Sequence, residues 1–472
     1  MIAQNSNQFL VGRRCKFKFI VNVNKKLSAM TKIPLSMLLI LFLVASLTDT
    51  GLATDEVPGA KQNKPVAIVG ATVHPVVAQP IENATIVFDQ GKITALGAGV
   101  VIPPGAEVIQ LQGQHIYPAM FETYSQLGLT EIGAVPATID TSETGELNPN
   151  VSALVAVNPD SELIPVTRSN GVLLAVSAPS GGLVSGSSAV LQLDGWTFED
   201  LSLKSHAAMH VNWPSLRRSR FRRGGDRDES ELVKRYEEQV RRLKDLFEET
   251  RAYQAGRKSL GDQQPFDLRL EAMIPVVQGE LPMMVAADSL NQIQSAVAFA
   301  AEQGAKLIIL GGYDAPLCAD LLKQHDVPVI ISAVQRRPLR RSDAFDTPYT
   351  LAARLAEAGV KFCISSSDRS STWNTRILPI QAAMAAGYGL DRAEAIKSVT
   401  LYPAEVMGVA EMVGSLEVGK HATLFACDGD PLEIETQVNH AWVQGRKVDL
   451  SDKHKRLYRK YQRKYDQLKE QK

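Results

Sequence analysis

Four carboxylates, Glu122, Asp288, Asp314 and Asp368, each stand in or just after a short apolar run. Acidic groups at the ends of successive strands can converge on one site. Together with waters they suit Mg or Mn better than Zn. Asp288 and Asp314 also immediately precede helical patterns, so helix capping is the competing reading for both. Asp368 makes a poorer cap and a fairer polar site, lying with Arg369 beside a serine run. Ser180-Gly181-Gly182, followed by Ser185-Gly186-Ser187-Ser188, marks a strand exit where backbone N–H groups could meet an oxyanion. A tight turn explains the same residues equally well. Of the eight histidines, His206 and His210 are spaced four apart; on a helix they would share one face and could chelate a metal, with packing or surface roles as the alternative. There is no Gly-x-Ser-x-Gly elbow, no phosphate-binding glycine loop and no His-Glu-x-x-His.

The elements that must position these groups come in two kinds. Between Pro65 and Gln114, short β-branched runs are broken by turns such as Asp89-Gln90-Gly91, which predicts hairpins. From about residue 116 onward, continuously apolar segments (IYPAMFE, GVLLAVSAP, SAVLQLDG, IPVVQ, PMMVAAD, AKLIILGG, VPVIISA, VKFCISSSD) read as strands buried on both faces. Helical patterns separate the later ones, as in LNQIQSAVAFAAEQG and TLAARLAEAG. That alternation predicts an α/β fold, either a β/α barrel or a doubly wound sheet. After Met407 the strand signal returns, so the two ends should fold together.

The whole chain, 472 residues, is long enough for two or three domains. Its 51 Lys plus Arg balance 51 Asp plus Glu, leaving no basic excess to hold nucleic acid. Cys15, Cys318, Cys363 and Cys427 lie far apart, which argues against a disulfide scaffold or a thiolate zinc site, and the last three read as buried thiols. The apolar run Leu35–Leu47 follows Lys25, Lys26 and Lys32 and precedes Gly51 and Ala53; this is the layout of a secretory signal peptide, with Met30 a tidier start than Met1 and an uncleaved anchor as the alternative. The folded part is therefore expected outside the cytoplasm, periplasmic or secreted. A helix at 228–256, preceded by an arginine run at 217–223, reads as a solvated insertion rather than a polyanion or membrane contact. The last segment carries Tyr458, Tyr461, Tyr465 and Leu468 on one face. It is expected to cap the barrel by that stripe, with contact to anionic lipid or a partner through its basic face as the alternative.

Three stretches in order resemble the amidohydrolase superfamily in its imidazolonepropionase-like branch. ENATIVFDQGKITALGAGVVIPPGAEVIQLQGQHIYPAMFETYSQLGL resembles the approach to the first barrel strand; PMMVAADSLNQIQSAVAFAAEQGAKLIILGG resembles the fifth and sixth strands; TLYPAEVMGVAEMVGSLEVGKHATLFACDGDPLE resembles the return from the barrel. The resemblance implies a TIM-type β/α barrel plus a composite β-sandwich from both ends. The implied boundaries are a signal region at 1–53, a linker at 54–65, sandwich parts at 66–115 and 411–450, a barrel at 116–410 with a charged insertion at about 214–260, and a basic helix at 451–472. It also implies one or two divalent metals, usually zinc, but the ligand positions fall on Glu122, Tyr124, Gln126, Ala286 and Tyr313. Only the eighth-strand Asp has a counterpart, Asp368, with Ser367 its rival. The usual binuclear centre is therefore expected to be absent, and a divalent metal to need a non-standard site. Two functions follow. One is a hydrolase of non-peptide C–N bonds, of the cyclic amide type, with Asp368 as proton shuttle and Tyr124 or Tyr313 polarising the carbonyl. The other is an inactive barrel binding a small ligand or a partner protein. Expected partners are a small molecule and no nucleic acid, with membrane contact only through the signal segment or the basic helix; self-association is left open.

Overall fold

In the computed structural model, residues 56–216, 229–366 and 372–470 are described. The signal-like run, the arginine run 217–223, and Ser367, Asp368 and Arg369 lie outside them. The first strands are β1 (Val66–Val73), β2 (Ile81–Asp89), β3 (Lys92–Gly97), β4 (Glu107–Gln110) and β5 (His115–Pro118). Asp89-Gln90-Gly91-Lys92 turns β2 into β3 with Gln90 at φ 49 and Gly91 at φ 78. Two successive left-handed residues make the tight hairpin turn that the sequence predicted. The central strands are β6 (Met120–Ser125), β7 (Val172–Ser177), β8 (Val184–Ser187), β9 (Ala189–Gln192), β10 (Ser202–Lys204), β11 (Met209–Asn212), β12 (Met283–Ala287), β13 (Leu307–Gly311), β14 (Val329–Ile331) and β15 (Phe362–Ile364). The chain returns through β16 (Leu424–Cys427), β17 (Val438–Val443) and β18 (Arg446–Lys447).

The ends do fold together. One sheet runs β18-β17-β16-β5-β1-β2-β3, with β4 also beside β1. Ile68, Ile86, Phe88, Ile116, Leu424 and Trp442 fill its core, and Phe88 meets Trp442 edge-on at 6.1 Å. β5 also belongs to this sheet, pairing with β16. The joint with the central strands is polar. Arg168 pairs with Asp194 at 3.4 Å and with Glu56, and Arg446 reaches Asp194 from the returning segment.

The central strands form two further sheets, β10-β9-β7-β6 and β15-β14-β13-β12-β11-β8. From β11 to β15 the pairing is parallel. Strands β12 and β13 are buried along their whole length, which is why they read as unbroken apolar runs. Between them the helix Leu290–Gln303 starts with a capping box, Ser289 with Gln292, and stops at left-handed Gly304. Side chains tie β6 to β15: Cys363 Sγ lies 3.7 Å from Thr123 Oγ1.

Four expectations are corrected. Ile274–Val277 of IPVVQ form the last turn of the helix Leu268–Val277, which Asp267 caps at its start by accepting from the N–H groups of Arg269 and Leu270, and Gln278 is its C-cap. SHAAMHVNW is not a helix: His210 lies in β11, whose backbone pairs with β8 and β12, so His206 and His210 share no helical face. The helix Glu229–Leu260 is only partly solvated. Phe247 is buried and meets Phe299 edge-on at 5.5 Å. The helix Lys453–Glu470 buries none of its residues, so its stripe is not packed as a cap among the described residues. Cys318, Cys363 and Cys427 are free and buried, as expected.

Candidate functional site

The polar groups converge at the carboxyl ends of the central strands, where barrel chemistry gathers. Glu122, in β6, is fully buried. Its carboxyl accepts from Ser365 Oγ, Ser366 Oγ, Ser366 N at 2.9 Å and Tyr124 N at 3.1 Å. Burial pushes its pKa up, and the hydrogen bonds oppose the shift. Ser365 and Ser366 directly follow β15, so this carboxyl joins the first and last strands of the central region.

Asp288 and Asp314 follow β12 and β13. Neither caps the helix it precedes. Ser289 takes that role after Asp288, and Asp288 instead accepts from Arg336 at 3.2 Å. Asp314 reaches back to the neighbouring helix, accepting from Leu290 N at 3.0 Å, and also pairs with Arg340. Arg336 and Arg340 come from one loop after β14 and both lie over the Tyr313 ring, at 5.2 and 6.0 Å. The Tyr313 hydroxyl donates to Asp343 at 2.9 Å, which directs it away from the carbonyl-polarising role. Desolvation and the acceptor Asp343 raise its pKa.

Tyr124 shares the inward face of β6 with Glu122. Its ring lies 5.8 Å from that of His210, bridging the two central sheets. His210 is buried, and burial alone pushes its pKa down to about 3, so the imidazole is neutral at ordinary pH. Its Nε2 has no hydrogen-bond partner among the described residues. Such an orphan costs about 1–3 kcal/mol unless something meets it. His206, by contrast, is satisfied by Ser187 Oγ at 2.9 Å.

The remaining candidates are structural where they are described. Gln126 is half-buried in the turn after β6, where its carbonyl accepts from Leu129 N. Gly181 and Gly182 adopt φ 87 and 63, and a Cβ on Gly182 would sit 2.9 Å from the Glu146 carbonyl. Ser180 N donates to Thr141 at 2.7 Å, so the loop is knitted to its neighbour as a tight turn. A cavity of about 1170 Å³ lies at the opposite ends of the strands, lined by Pro282, Lys306, Pro328 and Lys361 among others. Glu122, Asp288, Asp314 and His210, the groups that converge with the arginines and hydroxyls, lie toward the other end.

Residues 292–450 match the model of the amidohydrolase family. A curated relative, amidohydrolase tasK of Hapsidospora irregularis, is 21% identical over 370 residues, which is 73% of this chain and 37% of that protein. The chain therefore spans just over a third of that relative's length. The crystal structure of an amidohydrolase from Thermotoga maritima superposes with TM-score 0.71 at 22% identity, covering 81% of this chain and 99% of that one. The structure of molinate hydrolase gives TM-score 0.51 at 14% identity, covering 84% and 96%. The family-model match over residues 292–450 and the amidohydrolase relative support the resemblance to the amidohydrolase superfamily. The structural likenesses speak for the fold, not for the substrate.

Against the divalent metals of this superfamily, the donors present fit poorly. Glu122 accepts four hydrogen bonds from protein groups. Arginines neutralise Asp288 and Asp314. His210 brings a single neutral nitrogen, and no group of three His, Cys, Asp or Glu gathers to hold an ion among the described residues. Sequence reasoning missed Arg336, Arg340, Asp343, Ser365 and Ser366. The doubled pairs in QRRPLRRSD were the available signal.

Proposed function

We propose that the chain is a hydrolase of a non-peptide C–N bond, with cyclic amides as the substrate class. We place its site in the mouth of a TIM-type barrel closed by the Glu122–Ser365–Ser366 contact. The observation that carries the site is His210. A neutral buried imidazole with an unpaired nitrogen, beside Tyr124 and inside the barrel, is the group that a polar substrate would satisfy. His210 and Tyr124 hold the amide, and Asp368 moves the proton between attacking water and leaving nitrogen. With a pKa near 3, His210 is too weak a base for that proton and serves as a hydrogen-bond partner. The match of residues 292–450 to the amidohydrolase family model supports hydrolysis as the reaction.

The test is ring opening of a panel of lactams and cyclic ureides, read by mass spectrometry, with elemental analysis of the purified chain alongside. Turnover that drops about 100-fold or more in Asp368→Asn, with the fold intact, is the expected result. Wild-type rates in that variant would remove Asp368 from the mechanism. Stoichiometric metal would show that ligands beyond Glu122, Asp288, Asp314 and His210 build a centre.

A second reading, a binding barrel without turnover, is favoured by the two arginine–carboxylate pairs, which leave Asp288 and Asp314 neutralised. Saturable binding of a panel compound without product, lost in His210→Leu, would select it. We further propose an extracytoplasmic location, from the signal-like run at residues 35–47.

A further inference from the structure

We propose that the helix Lys453–Glu470 docks the protein onto an anionic phospholipid surface. Among the described residues, the helix is tied to the fold at its base. Asp452 accepts from Lys455 N at 2.9 Å, Lys455 Nζ donates to the Leu450 carbonyl at 2.9 Å, and Arg456 meets Glu162 at 3.1 Å. Beyond that turn no described residue covers the apolar stripe. Tyr458, Tyr461, Tyr465 and Leu468 are 69%, 51%, 58% and 47% exposed.

Charge names the occupant. The helix holds eight Lys or Arg (453, 455, 456, 459, 460, 463, 464, 469) against Asp466 and Glu470, in a chain whose totals balance at 51 against 51. At helical spacing, Lys453, Lys460 and Lys464 flank the stripe on one side, and Lys455 and Lys469 flank it on the other. Glu470 falls on the far face, while Asp466 lies as far round from the stripe as Lys460 but on the other side, pairing with Lys469 at 3.8 Å. Lys464 lies 5.9 Å from the Tyr461 ring, alongside the stripe. An apolar strip edged by lysines, on a helix of low overall hydropathy, is the pattern of an interfacial helix: the lysine stems lie along the surface while their ammonium groups meet lipid phosphates. The identity of the apolar residues points the same way. Tyrosine keeps one end apolar and one end wet, as the headgroup layer allows. A second copy is the competing occupant, since the spacing 458, 461, 465, 468 also fits a coiled-coil seam. Pairing two such helices would set Lys455, Lys464 and Lys469 beside like charges at the flanking positions, which opposes it.

The experiment is hydrogen exchange of the full chain with vesicles of phosphatidylcholine plus phosphatidylglycerol, against vesicles of phosphatidylcholine alone. Exchange reports on residues 453–470 directly, whatever the N-terminal run does. We expect protection of this segment on anionic vesicles only. The affinity should fall about 100-fold when Lys460, Lys464 and Lys469 are all changed to Gln. Gln is a good helix former, so the helix survives that change. Tyr461→Gln with Tyr465→Gln should also abolish protection. Equal protection on neutral vesicles, protection that grows with protein concentration without vesicles, or none on anionic vesicles would each overturn the proposal.

Discussion

The sheet built from both ends and the mouth of the central strands handle their polar groups in opposite ways. In the sheet, the strands pair through backbone and bury Phe88, Ile116 and Trp442, and the few charges at its joint, Arg168, Asp194 and Arg446, serve to clamp segments distant in sequence. At the mouth, Glu122, Asp288 and Asp314 are held by hydroxyls and arginines, and one histidine is left unmet. A buried ion pair that clamps is a stability device once both partners are present, whereas an unmet polar group persists at a cost. The difference separates what holds the molecule from what it offers a ligand.

Breaking the clamp should have the largest effect. Asp194→Ala leaves Arg168 buried without that carboxylate and should cost about 3–5 kcal/mol, read from urea denaturation. A loss below about 1 kcal/mol would mean that Glu56 alone satisfies Arg168, and the clamp would lose its importance. Glu122→Ala comes next. It strips four donors of their acceptor and should cost about 2–3 kcal/mol. Because burial raises the Glu122 pKa, the folded chain holds a proton that the unfolded chain releases above the ordinary carboxyl range. Stability contributed by this group is therefore present at low pH and lost as pH rises through the folded pKa; Glu122→Gln should flatten that dependence.

The opposite sign is expected at His210. Replacing it with Leu removes an unmet nitrogen and should stabilise the fold by about 1–2 kcal/mol at neutral pH while weakening ligand binding. Below about pH 6.5 the unfolded chain takes up a proton that the folded His210 refuses until about pH 3, so stability falls as pH falls through that window. His210→Leu should make the acid limb shallower. A destabilised variant with an unchanged limb would show that the imidazole is already satisfied in the folded chain.

What the sequence made legible follows from the range of each interaction. The hairpin at Gln90-Gly91 and the buried strands β12 and β13 rest on neighbouring residues, so turn chemistry and apolar runs revealed them. IPVVQ was misread because a short apolar run fits either element, and the cap that starts its helix, Asp267, lies outside it. Glu122, Asp288 and Asp314 were found as acidic residues by strand-end position. Their roles were not, because their partners are remote: Ser365 is 243 residues from Glu122, and Arg336 is 48 from Asp288. His210 was noticed for its spacing from His206, which proved irrelevant. What distinguishes it is burial beside Tyr124, visible only once β6 and β11 face each other.

The smallest effect on stability is expected at Arg340, and it sharpens the comparison most finely. Arg340 is 43% exposed while its partner Asp314 is almost fully buried. In Arg340→Gln, Asp314 keeps the Leu290 N–H, so the helix after β12 stays capped and stability should change by about 0.5–1 kcal/mol. What changes is charge. One buried carboxylate at the mouth loses its cation, which makes the site more negative and its affinity for divalent ions higher. Calorimetric titration with zinc or manganese on Arg340→Gln against the parent chain reads this directly. Tighter metal uptake at nearly unchanged stability would show that the arginine here suppresses a cation site rather than holding the fold, the reverse of Arg168 at the joint. Unchanged uptake with a large loss of stability would make the two arginines alike, and the contrast between clamp and mouth would fail.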